Sequence, residues 1–172
     1  MVSKIIDDNS SEDQKPISIE DVKDEIERCL NQIGAKEWIE MCFYDDYKFF
    51  VKLYPKLEAL HKEQFGESEE IMKTRMLKLG FPKDIEIVVN DYISIRNTFQ
   101  HSMIDLSPSN LELAQEVFVK VLVYLMVSNL EPLLLLHNRE KFYTCLTDFF
   151  SHQLTENPAF CKKILSRLKT VF

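Results

Sequence analysis

Arg96, Asn97 and His101 stand within six residues of one another in the stretch SIRNTFQHSM, Ser94 to Met103. An arginine holds a phosphate through two parallel hydrogen bonds, an imidazole exchanges protons near neutral pH, and an asparagine amide can orient either. Together these types fit proton transfer at a phosphate. The alternative is that they are solvated positions of an amphipathic helix. The direction in which a helix points them separates the two readings.

At about 100° per residue, Val88, Tyr92, Ile95, Phe99 and Met103 fall in one stripe about 80° wide, which predicts the core face. Measured from the centre of that stripe, Asn97 lies at about 160° and His101 at about 200°, away from the core. Arg96 lies at about 60°, at the core's edge, from where its long side chain can reach around. The outer face then carries Glu86, Asn90, Ser94, Asn97 and His101, bordered by Ile93 and Ile104. Two isoleucines flanking a polar strip fit a partner surface, although single exposed apolar residues are common. Across a two-fold axis, two copies of this helix would bring both sets into one groove.

The helix is expected to begin at Pro82, which suits a first turn, and to break near Leu106. Ser107 or Ser109 then caps a long apolar helix reaching about Leu130. Upstream, Ser18 with Glu20 and Asp21 starts a helix that ends at Gly34. A second helix from about Lys36 carries Trp38, Ile39, Cys42, Phe43, Phe49, Phe50 and Leu53, with Pro55 kinking it or opening a segment that runs to Phe65 and Gly66. Ser68 caps a third, ending at Gly80. Two amphipathic helices close the chain, about Arg139–Leu154 and Asn157–Val171. Residues 1–16 are polar and acidic and are read as a disordered tail or linker, and 17–172 as a single helical domain.

Composition agrees with an all-α fold. Three glycines and six prolines among 172 residues leave little for tight β-hairpins, and 45% hydrophobic residues suffice for a core. The four cysteines, Cys29, Cys42, Cys145 and Cys161, show no C-x-x-C pairing, which favours a reducing, intracellular setting, cytoplasmic or nuclear. The N-terminus lacks the apolar core of a cleavable signal. The run Val117–Leu136 is interrupted by Lys120, Asn129, Glu131 and Pro132, so it reads as a buried helix, a kink and a short continuation rather than a membrane span, and no membrane partner is expected. Net charge is −7, and residues 1–30, with four basic and nine acidic side chains, carry −5 of it. Broad coating of nucleic acid is thereby disfavoured. At the other end, Lys162, Lys163, Arg167 and Lys169 form a basic strip that is either a solvated face near a helix C-terminus or a phosphate contact.

Pro82 to Leu125, PKDIEIVVNDYISIRNTFQHSMIDLSPSNLELAQEVFVKVLVYL, resembles the core of the HEPN superfamily (higher eukaryote and prokaryote nucleotide-binding domains). The family's hallmark is an arginine, usually followed by a polar residue, then a histidine four to six positions later near the end of one helix, with another long helix after it. Arg96, Asn97 and His101 match it. The resemblance implies a helical bundle, here with the last two helices as additions, and a homodimer in which arginine and histidine of both protomers support metal-independent RNA cleavage. A ribose 2′-hydroxyl attacks the adjacent phosphate, His101 moves the proton, and Arg96 stabilises charge on the phosphoryl oxygens. Neither cofactor nor metal is needed. The resemblance equally implies an alternative, a non-catalytic dimerisation module binding protein or RNA within a larger RNA-quality-control or defence protein. Toxins of one HEPN group carry a tyrosine two residues after the histidine, where Met103 stands here. Among other polar candidates, His61, His137 and His152 read as capping or solvated residues, and FYDD, Phe43 to Asp46, lacks the Glu-x-x-His element of carboxylate metal bundles.

Overall fold

Ser18 opens the first helix, α1 (Ile19–Gln32), by a reciprocal capping box: its hydroxyl accepts from the Asp21 amide at 3.1 Å while the Asp21 carboxylate accepts from the Ser18 amide at 3.1 Å. Gly34, at φ 68°, turns the chain into α2 (Ala35–Glu40), a left-handed conformation that costs glycine little. The computed structural model describes residues 18–41, 46–66, 74, 80–102 and 107–172, with the side chains of 46–50, 64, 101 and 102 outside that description. The disordered tail expected over 1–16, the Ser68 cap, the two carboxylates of FYDD (Asp45, and the side chain of Asp46), Cys42, Met103 and Ile104 therefore lie outside that description.

Five further helices follow: α3 (Asp46–Phe65), α4 (Lys83–Ser102), α5 (Pro108–Leu136), α6 (Arg139–Gln153) and α7 (Pro158–Val171). No strand occurs among the described residues. Pro55 lies inside α3 and Pro132 inside α5, and each helix continues past its proline, so neither opens a new element. Ser107 caps α5, accepting from the Asn110 amide at 3.3 Å, and Asn138 and Asn157 cap α6 and α7.

The long helix α5 is the centre. It packs against α1, α2, α3, α4 and α7, while α6 lies on α1 and α7. By length and apolarity α5 could cross a bilayer, but eleven of its side chains are buried within this bundle. All seven helices contribute to one core. Trp38 of α2 and Phe160 of α7 meet Phe118 at ring-centroid distances of 5.6 and 5.1 Å, so the core's centre is aromatic. Phe142, Leu146, Phe150, Ile164 and Leu168 of the last two helices are fully buried, so α6 and α7 share this core rather than decorate it.

Half of the basic strip has a structural use. Arg167 pairs with Asp84 of α4 at 3.2 Å, and Lys163 reaches Glu116 of α5 at 3.7 Å, where Lys120 also pairs at 3.3 Å. These contacts tie α7 to the first turn of the motif helix and to α5. Lys162 and Lys169 are exposed.

Candidate functional site

The motif helix α4 starts where Pro82 cannot donate: its carbonyl instead accepts from the amides of Ile85 and Glu86, both at 2.9 Å. Asp84 and Glu86 in the first turn favour the positive end of the helix dipole. The face assignment from the sequence is corrected by the packing. Ile85, Val89, Tyr92 and Ile93 are buried, and Val88, Ile95 and Phe99 are partly buried against the core. That arc is about 160° wide and is rotated toward Ile93 relative to the expected stripe. Ile93, expected to border the outer strip, is 1% exposed. Ile93 belongs to the same core as the residues of α5, so the apolar edge of α4 is drawn in along with its centre.

The rotation matters most for Arg96. Its position falls near the middle of the buried arc, not at its edge, and the side chain is half-buried. It avoids burying a bare charge by running to α3, where its guanidinium carbon lies 3.7 Å from the centroid of the Tyr54 ring. Nη1 of the same guanidinium donates to Oδ1 of Asn97 at 3.3 Å. None of the ion pairs among the described residues involves Arg96. Tyr92, one turn earlier, is fully buried beside this pair. Burial pushes its phenol well above the usual tyrosine range, the nearby Arg96 charge acting in the opposite direction.

Asn97 is exposed, as its place on the wheel implies. His101 occupies the last turn of α4, five residues after Arg96, and its side chain lies outside the description. The expected outer strip is not uniformly open. Ser94 and Thr98 are exposed and bond back to the carbonyls of Asn90 and Ser94, each at 3.0 Å. Glu86 and Asn90 are partly covered, and Asn90 Oδ1 is buried with no hydrogen-bond partner among the described residues.

The remaining candidates separate by burial. His61 is 1% exposed inside α3, its ring 5.2 Å from that of Phe65, and so is a core residue rather than a helix-end cap. His137 is the C-cap of α5, and His152 lies exposed in the last turn of α6. Cys29, Cys145 and Cys161 are free and buried, and desolvation raises all three thiols, which disfavours them as nucleophiles. Among the described residues no three His, Cys, Asp or Glu side chains group as metal ligands would. A cleft of about 480 Å³ between α6 and α7, floored by Leu154, Pro158, Cys161 and Leu165, shares no lining residue with the Arg96 site.

Tyr54 is the neighbour of Arg96 that sequence reasoning missed. It lies 42 positions before Arg96, on a helix whose pairing with α4 no local pattern announces. A tyrosine one residue before a proline carries no signal of its own. No family model, curated protein or solved structure matches this chain.

Proposed function

We propose that the chain is a HEPN-like RNA-processing domain acting as a homodimeric, metal-independent endoribonuclease through Arg96, Asn97 and His101. The observation that carries this reading is the seat of Arg96. Its guanidinium is charged, stacked on Tyr54, beside Asn97, and in no ion pair with a described carboxylate. An arginine of that kind keeps its remaining in-plane donors, those not given to Asn97, for a phosphodiester. As the 2′-oxygen bonds to phosphorus and the P–O5′ bond breaks, Arg96 stabilises the charge on the phosphoryl oxygens, Asn97 orients the guanidinium, and His101 carries the 2′-hydroxyl proton to the leaving 5′-oxygen.

Helix geometry supports the dimer that the resemblance implies. Positions 96 and 101 diverge by about 140° around α4 and are separated by about 7.5 Å along its axis. One helix therefore places the two positions on diverging faces, which suits a composite site in which a second copy across a two-fold axis supplies the histidine for a given arginine. An intracellular setting, cytoplasmic or nuclear, belongs to the same proposal and is supported by three free, buried thiols.

RNA incubated with the purified chain in excess EDTA is the direct assay, and the expected product ends in a 2′,3′-cyclic phosphate. Losing a general acid–base residue removes about 10²–10⁴-fold of rate, so His101→Ala is expected to be nearly silent while remaining folded. Equal, undiminished RNA in both samples, with the dimer present, replaces the enzyme by a second reading. That reading is a non-catalytic dimerisation module of a larger protein, binding protein or RNA. It is favoured by the same stack seen differently, with Arg96 as a strut joining α3 to α4.

A further inference from the structure

We infer that Tyr54 is the positioning residue of this site, fixing the Arg96 guanidinium as a preformed receptor for a phosphodiester; the inference deepens the RNA-processing reading and rests on it. A separation of 3.7 Å between the guanidinium carbon and the ring centroid puts the cation directly over the aromatic face. A guanidinium is planar, and its N–H donors all lie in that plane. Stacking therefore uses the face that cannot hydrogen-bond and leaves the edge that can. The ring fixes the plane, and the 3.3 Å bond from Nη1 to Asn97 Oδ1 fixes rotation within it. Two contacts from two directions thus order a side chain that otherwise loses rotamer freedom on binding.

The surroundings hold the platform in place. Tyr54 stands on α3 between Leu53 and Leu57, both fully buried against the core, so its backbone is anchored on either side. Tyr92 of α4, fully buried, lies beside the stack and senses both Tyr54 and Arg96 electrostatically. The site is thereby made by two helices, α3 giving the platform and α4 the cation. The Tyr54 ring is committed to the arginine face and makes its contribution through that residue. A phenylalanine ring would stack equally, whereas a leucine of similar bulk would fill space without offering a π face.

The test compares the full chain with Tyr54→Phe and Tyr54→Leu, after circular dichroism and thermal melts establish that each is folded. The first readout is the Nε–H resonance of Arg96 by NMR, identified by its loss in Arg96→Lys. Wild type and Tyr54→Phe are expected to show a ring-current displacement of that signal, and Tyr54→Leu to lack it. Titration with inorganic phosphate is expected to move the same signal at about two- to thirtyfold lower concentration in the aromatic chains than in Tyr54→Leu, the range a cation–π contact carries. RNA cleavage in EDTA is the second readout, with kcat/KM expected to fall by a similar factor in Tyr54→Leu and to be retained in Tyr54→Phe. An Arg96 signal without ring-current displacement in wild type overturns the proposal, whether or not the leucine variant folds. Equal phosphate response in all three folded chains overturns it too. Failure of wild type to cleave RNA, with the displacement and phosphate response intact, removes the nuclease reading and leaves the positioning role standing.

Discussion

Ser18 and Asp21 give the clearest case of a residue pair whose chemistry can be followed from sequence to pH dependence. The Ser18 hydroxyl, then the Ser18 amide, donate to the Asp21 carboxylate and hold it below its ordinary value of 3.8. A carboxyl whose folded value is depressed adds stability above its unfolded value and loses that contribution as the pH falls through the folded one. Urea melts at about pH 7 and about pH 3 are thus expected to differ less for Asp21→Asn than for wild type, since the variant has no proton to take up there. Ser18→Ala, which also removes the cap acceptor, is expected to cost about 0.5–2 kcal/mol at neutral pH. Both residues are local in sequence, and both were legible there. Arg96 is the contrary case at the same scale. Its identity and spacing were readable, but its direction depended on which flank of α4 the neighbouring helices covered.

Among the helices, α5 decides the architecture, because it offers buried side chains to five others. Phe118 is its most connected ring, fully buried between Trp38 and Phe160. Phe118→Ala is expected to destabilise by about 3–5 kcal/mol in chemical denaturation, with all seven helices lost together because they share one core. The contact of α7 with α4 through Arg167 and Asp84 is a different kind of link. Both side chains are well exposed, so a double-mutant cycle of Arg167→Gln and Asp84→Asn is expected to give a coupling of only about 0.2–1 kcal/mol, weaker in high salt. Apolar residues such as Ile164 and Leu168, and not the basic strip, therefore hold α7 in place.

At the scale of the whole molecule, the proposed composite site requires two chains. Light scattering at micromolar concentration is expected to give about twice the 20.3 kDa chain mass, and a clean monomer across that range removes the shared Arg96–His101 site. The outer face available for that meeting differs from the one the periodicity implied, since Ile93 is buried and Asn97, Ser94 and Thr98 are exposed. The sequence by itself determined the all-helical class and most of the described helix starts and ends, because capping, proline placement and glycine turns act over three or four residues. Ser18, Gly34, Ser107 and Asn157 are such signals. It also determined which residue types could meet a phosphate. Only the tertiary structure decided how α4 is rotated, that His61 is a core residue, and that Tyr54 lies under Arg96. Those three facts arise from contacts between helices distant in the chain, where the shape of the covering neighbour and the need to house a charge outweigh the local apolar period.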